Sequence, residues 1–296
     1  MQRRTWLVLA IILAAVPWTA GCQTNSLTGK RNFMLITEAE DISLGQQAAP
    51  GVASEMGGTY GDPTIRSYVQ RVGGKVAAEA VKCGSYAYPF TFDVLDADMA
   101  NAFALPGGSI FVTRGLLFQM QNEAELAGVL AHEVTHVSAR HSAQQISKQV
   151  GAEIVLSVLK GAGSSQSGGG ATGSGDTVGS VAKVVGGIIS LKYSRDNEYE
   201  ADSFGTQFAI QAGYSPGGLV RVMEMFMAEE KASGGSTPAF LRTHPYPDDR
   251  IKSIHTLLNE KYPTALSDPK LTLGREAYQQ NVLSRAGMVK QYSKAK

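Results

Sequence analysis

The amino-acid sequence predicts an α+β domain, mostly helical with a small sheet, and three observations carry that expectation. Apolar residues recur at helical spacing over residues 37–49, 63–81 and 122–137. Two short segments, residues 90–94 and 109–113, alternate as strands do. His132-Glu133-Val134-Thr135-His136 falls inside the third periodic stretch, so a metal-ligand pattern sits on a predicted helix.

In chain order, the first 22 residues read as a targeting segment and not as part of the fold. Arg3 and Arg4 supply a positive start, residues 6–16 form an apolar run too short to span a bilayer, and Thr19-Ala20-Gly21-Cys22 closes it. This resembles a bacterial lipobox, with Thr19 standing where a large aliphatic residue is usual. The resemblance implies a signal peptide over residues 1–21, acylation of Cys22 and a lipidated tether over residues 22–35. Gln23, in place of aspartate, implies anchoring to the outer membrane, facing the periplasm. Ordinary secretion after cleavage near Ala20 is the alternative. With Cys22 acylated, Cys83 has no intrachain partner, because the chain holds two cysteines.

The helix of residues 122–137 is capped by Asn122, with Glu125 as the capping-box carboxylate. At about 100° per residue, His132 and His136 lie about 40° apart on one face, where both can ligate one zinc while Glu133 reaches a water beside it. The chain has five histidines, which makes a chance His-Glu-x-x-His rare. The pattern points to a zinc-dependent hydrolase. Ser142 occupies the place six residues beyond His136 where some metalloproteases carry a third histidine. His141, nine residues after His132, points about 180° away on a straight helix and reads as a structural or surface residue. The third ligand is sought in a second helix, capped by Asp196 or Asn197. There Glu198 shares a face with Ala201, Asp202, Gly205 and Ala209, whose small size permits close helix approach, whereas Glu200 points toward Phe204 and Gln207. Glu198 is the expected ligand, and Asp202 the expected hydrogen-bond acceptor from a ligand histidine.

These motifs, with Asn101-Ala102-Phe103-Ala104-Leu105-Pro106-Gly107-Gly108, residues 110–117, Thr243-His244-Pro245 and Arg250-Ile251, resemble the HtpX and CAAX prenyl endopeptidase family of zinc metallopeptidases (peptidase family M48). The likeness is strongest to bacterial outer-membrane lipoprotein members and spans residues 36–256. It implies a zincin-like fold of the gluzincin type over residues 36–262, one zinc ion bound by His132, His136 and Glu198, and Glu133 as general base. It also implies a cleft bordered by an edge strand. Ser109, Ile110, Phe111, Val112 and Thr113 follow a Pro-Gly-Gly turn and are expected to be that strand, pairing with an extended substrate. By the same resemblance His244 lies near the metal, either stabilising the tetrahedral intermediate or filling the fourth zinc position at rest. Arg250 positions substrate or a nearby carboxylate, with a structural salt bridge as the other reading.

Residues 161–180 are rich in glycine and serine and read as a mobile loop. The apolar stretches beside it, residues 154–159 and 181–191, are interrupted by lysine and glutamate and fall short of a membrane span. Residues 263–296 read as a C-terminal extension without a motif. A formal net charge of +1 with no basic cluster gives no support for nucleic-acid binding. The expected function is an endopeptidase acting on misfolded or misassembled envelope polypeptides. The alternative is a periplasmic chaperone-like assembly factor that binds extended peptides with little turnover.

Overall fold

A computed structural model describes residues 22–149, Gly187 and residues 192–286. The signal segment 1–21, the glycine- and serine-rich stretch 161–180, residues 154–159, most of 181–191 and residues 287–296 lie outside the described residues.

The described chain opens with an antiparallel hairpin, β1 (Cys22–Thr24) on β2 (Arg31–Phe33). The expected tether is therefore docked: Asn25 Nδ2 donates to the Ser138 carbonyl at 2.8 Å, and the Leu35 N–H donates to Ser147 Oγ at 2.8 Å. Thr37 and Glu40 cap each other's main chain at the start of α1 (Glu38–Glu55), satisfying two N–H groups the helix leaves free. Asp62 accepts from the N–H groups of Thr64 and Ile65 to start α2 (Pro63–Lys82), where proline at the first position costs no hydrogen bond.

Three strands follow, β3 (Thr91–Leu95), β4 (Ala102–Ala104) and β5 (Ser109–Thr113), in the spatial order β3-β5-β4. β5 runs parallel to β3 and antiparallel to β4. This corrects the expectation for Ser109, Ile110, Phe111, Val112 and Thr113: β5 is the central strand, and its main chain is already paired on both sides. The turn at residues 106–108 folds β4 back along it. Gly107 there has φ 75°, and a Cβ would stand 2.3 Å from the Ile42 Cα, so the turn requires glycine. The sheet's outer edge on that side belongs to β4.

Side chains alternate between two cores. Phe92, Val94, Ile110 and Val112 join the core of α2 and α4 (Glu123–Ser138), while Leu95, Phe103 and Phe111 meet Leu44, Ala48 and Val52 of α1. Thr113 caps the short α3 (Arg114–Leu117). Every residue of α4 is buried. Its Asn122 Oδ1 accepts from Glu125 N at 3.0 Å, as the sequence predicts. α5 (His141–Gln149) follows after a break at Arg140, whose φ is 59°.

α6 (Arg195–Gln211) is capped by Ser194, one turn ahead of Asn197, and not by Asp196 or Asn197. It packs along α4 through the small face read from the sequence: a Cβ at Gly205 would lie 3.1 Å from the His132 main-chain nitrogen. α7 (Gly217–Ala232), α8 (Ala239–Thr243), α9 (Pro247–Lys261) and α10 (Arg275–Asn281) complete the shell. Tyr278 on α10 is fully buried and its hydroxyl donates to the Leu117 carbonyl at 2.6 Å, while Arg285 pairs with Asp62 at 2.8 Å. Packing thus carries the domain past residue 262 to the end of the described chain. A mostly helical shell around a small mixed sheet, with two histidines on the central helix, is the zincin-like arrangement. Among the described residues no helix is long and apolar enough to cross a membrane.

Candidate metal centre

Four segments converge. α4 presents His132, Glu133 and His136, α6 presents Glu198 and Asp202, the residue after α8 is His244, and α9 presents Arg250. All seven are buried. His132 Nε2 lies 3.0 Å from His136 Nε2 and 3.2 Å from His244 Nδ1. Glu198 Oε1 lies 3.1 Å from His244 Nδ1 and 3.6 Å from His136 Nε2, and Glu198 Oε2 lies 3.4 Å from His132 Nε2.

Those spacings test the set as a metal shell. Zinc bonds of about 2.0–2.1 Å in a tetrahedron put neighbouring donor atoms about 3.3 Å apart, which is the spacing found. Two Nε2 atoms facing each other at 3.0 Å also need a cation or proton between them, since neither lone pair can satisfy the other. His132, His136, Glu198 and His244 therefore fit one ion, and three imidazoles with one carboxylate suit zinc.

The surroundings fix each donor. His132 Nδ1 faces Asp202 Oδ1 at 3.0 Å, the contact predicted from the helix face. Arg250 holds Asp202 with two hydrogen bonds of 2.8 and 2.7 Å, and its Nη1 stands 2.7 Å from Glu198 Oε2. It thus pairs with and positions two carboxylates, Asp202 behind the donor set and Glu198 within it. Burial and the Arg250 charge oppose protonation of His132, but hydrogen bonds to Asp202 and Glu198 outweigh them and hold its pKa at about 9. Burial works against an ionised Glu198, yet Arg250 and His244 keep it well below the usual carboxylate range. His136 is held well below the usual imidazole range, by burial first and by His132 second. Burial raises Glu133, against the opposing pull of His244 and His132. Among the described residues neither Glu133 oxygen has a hydrogen-bond partner, and His244 Nε2 is 3.5 Å away.

Two neighbours of His136, and a third residue behind one of them, were not predicted. Tyr193 stacks on its ring at 3.9 Å between centroids and 24° between planes. His141 Nδ1 lies 2.8 Å from His136 Nδ1, and His141 Nε2 lies 3.0 Å from Glu200 Oε2. His141 lies outside the donor cluster as a buried structural residue, but beside His136 and not about 180° away, because the chain turns at Arg140, which carries neither glycine nor proline to announce the break. Glu200 does face away from the metal, as read, but toward His141. His255 is exposed on α9 and takes no part in the site. Cys22 is exposed at the head of β1.

The sequence pattern of peptidase family M48 matches residues 63–258, well over half of the chain and the whole of this site. A beta-barrel assembly-enhancing protease of Yersinia pestis is 30% identical over 282 residues, covering 89% of this chain and 55% of the relative. The protein of the same name in Escherichia coli K12 is 30% identical over 235 residues, 75% of this chain and 46% of the relative. The chain thus spans about half the length of these relatives. Metalloprotease YcaL of Escherichia coli K12 is 30% identical over 262 residues, 86% of this chain and 97% of that protein.

Proposed function

The chain belongs to peptidase family M48, and from that premise we propose that it is a zinc-dependent endopeptidase cleaving misfolded or misassembled polypeptides of the bacterial cell envelope. The observation that carries the reading is Glu133, fully buried beside two site imidazoles with both oxygens free of partners among the described residues. Isolating a carboxylate in this way costs stability, and burial moves its proton affinity toward the range a general base needs. A site that only bound peptide would have no use for it.

A zinc ion held by His132, His136 and Glu198 supplies Lewis acidity at the scissile carbonyl. Glu133 takes the proton of the attacking water as its oxygen bonds to the carbonyl carbon. It returns that proton to the nitrogen as the C–N bond breaks. His244 is the resting fourth donor, and the segment joining α8 to α9 must withdraw it before substrate enters, because a catalytic zinc keeps one position open. β4 is the sheet edge beside β5, and because Ala102, Phe103 and Ala104 are all buried, an extended substrate pairs there only once that edge is uncovered.

Acylation of Cys22 places the enzyme on the outer membrane, facing the periplasm. The exposed cysteine at the start of the described chain and the charged and apolar run before it support this. The relatives named for β-barrel assembly support envelope polypeptides as substrates. The test is casein cleavage by the purified full-length chain, beside Glu133→Gln and His244→Ala, with bound zinc measured in each. Expected are about one zinc in wild type and in Glu133→Gln, a loss of at least about 100-fold in cleavage for Glu133→Gln, and faster cleavage for His244→Ala. Undiminished cleavage by Glu133→Gln removes the general base. Stable casein complexes without products point to a binding function instead.

A further inference from the structure

We propose that His141 and Glu200 form a positioning relay that sets the tautomer and orientation of His136 as a zinc ligand. The inference rests on the metal site proposed above and assigns two residues that no ligand pattern includes. For His136 Nε2 to face the donor cluster with a free lone pair, its one proton must sit on Nδ1. That nitrogen meets His141 Nδ1 at 2.8 Å, so His136 donates and His141 accepts. His141 then carries its own proton on Nε2 and donates it to Glu200 Oε2 at 3.0 Å. The carboxylate therefore dictates both tautomers in turn. Its other oxygen is held at 2.6 Å by Lys30 of the N-terminal hairpin.

Three observations separate this relay from incidental packing. His141 is fully buried, where an unpaired imidazole nitrogen is costly, and both of its nitrogens are used along this one line. The chain reaches the geometry only through the left-handed turn at Arg140, whose guanidinium is tied to Asp41 at 2.7 Å and to the Ile36 carbonyl at 2.6 Å. A non-glycine residue is held in that conformation only where its surroundings enforce it. Tyr193 stacks on the opposite aspect of the problem, fixing the plane of the His136 ring while His141 fixes its rotation. His132 has a carboxylate partner in Asp202, so each α4 histidine is oriented through its Nδ1, one directly by an acid and the other through an intervening imidazole.

The test uses the purified full-length chain with three substitutions: His141→Phe, which keeps a ring but accepts no hydrogen bond; His141→Asn, whose amide oxygen can still accept from His136; and Glu200→Gln. Zinc affinity is read by chelator competition, the visible spectrum of the Co2+-loaded protein reports ligand geometry, and melting of the metal-free protein reports the fold. Expected is a fall of about 10- to 100-fold in zinc affinity for His141→Phe with an altered Co2+ spectrum. His141→Asn recovers most of the affinity, and Glu200→Gln falls between wild type and His141→Phe. A His141→Phe protein with wild-type zinc affinity and Co2+ spectrum overturns the relay, whatever its melting temperature. If His141→Phe does not fold, Glu200→Leu, whose side chain accepts nothing from His141 Nε2, decides by the same readouts, and wild-type behaviour there also overturns it. Failure of the wild-type chain to bind either ion overturns the metal site itself.

Discussion

Removing Arg250 should unfold this protein more readily than any loss of packing volume explains. Its guanidinium is fully buried and makes two hydrogen bonds to Asp202, an ion pair with Glu198 at 2.7 Å and a 3.3 Å contact to the His244 carbonyl. Arg250→Met keeps most of the side-chain length but leaves the buried Asp202 and Glu198 carboxylates without their guanidinium partner. Breaking a buried pair by deleting one partner costs about 3–5 kcal/mol. For a domain of this size about 2–4 °C of melting temperature accompany each kcal/mol. The metal-free variant should therefore melt roughly 6–20 °C below wild type when scanned in chelator. The charge origin is checked by a double-mutant cycle with Asp202→Asn, which removes one of the stranded charges in advance. The combined cost should fall short of the two separate costs by about 0.5–3 kcal/mol. A melting temperature within about 2 °C of wild type, or strictly additive costs, would show that Arg250 does not act by neutralising Asp202 and Glu198.

Two further outcomes follow from the same geometry. Gly205→Ala places a Cβ 3.1 Å from the His132 nitrogen, so α6 must move by a few tenths of an ångström, while zinc sites tolerate about 0.2 Å. Zinc affinity measured by chelator competition should fall with little change in metal-free melting, and unchanged affinity would show that the helices absorb the methyl elsewhere. The second outcome concerns pH. His132 is held at about 9, above its ordinary 6.5, so below about 9 the metal-free site carries a proton that zinc must displace. Affinity should then weaken as pH falls, by up to about tenfold per pH unit, and a flat titration between pH 7 and 9 would contradict this.

What could be read from the sequence was what is local in the chain. His132, Glu133 and His136 are one turn of one helix, and Asn122 caps it as its chemistry suggests. Glu198 and Asp202 were legible because small residues mark the face of α6 that approaches α4 closely. Strand order was not legible, because alternation within residues 109–113 says which side chains share a face and nothing about which strands flank them. The parallel pairing with β3 comes from residues 18 positions upstream, as in Thr91 opposite Ser109. The turn at Arg140 was invisible for another reason: its left-handed conformation is imposed by Asp41, Gln23 and the Ile36 carbonyl, about 100 residues away in the chain. His141 and the docked hairpin followed it out of view together.

On the proposal that His244 is a resting donor withdrawn before substrate enters, the arrangement of Arg250 accounts for how a buried donor can also move. Arg250 holds Asp202, the partner of His132, and Glu198 at 2.7–2.8 Å, while His136 is held separately by His141 and Tyr193. The His244 segment is held by a different set of ties: the 3.1 Å contact of its Nδ1 with Glu198 Oε1, the 2.9 Å bond from its N–H to the Phe240 carbonyl, the 3.3 Å contact from Arg250 to its carbonyl, the 3.0 Å bond from Tyr193 N to the Thr243 carbonyl, and stacking on Phe240. Withdrawing His244 breaks those ties and leaves the Arg250–Asp202–His132 line intact. Charge supports the same division, since His244 is neither of the two acids that Arg250 neutralises. On that proposal, withdrawing His244 leaves the contacts that hold His132 and Glu198 to Arg250 and Asp202 in place.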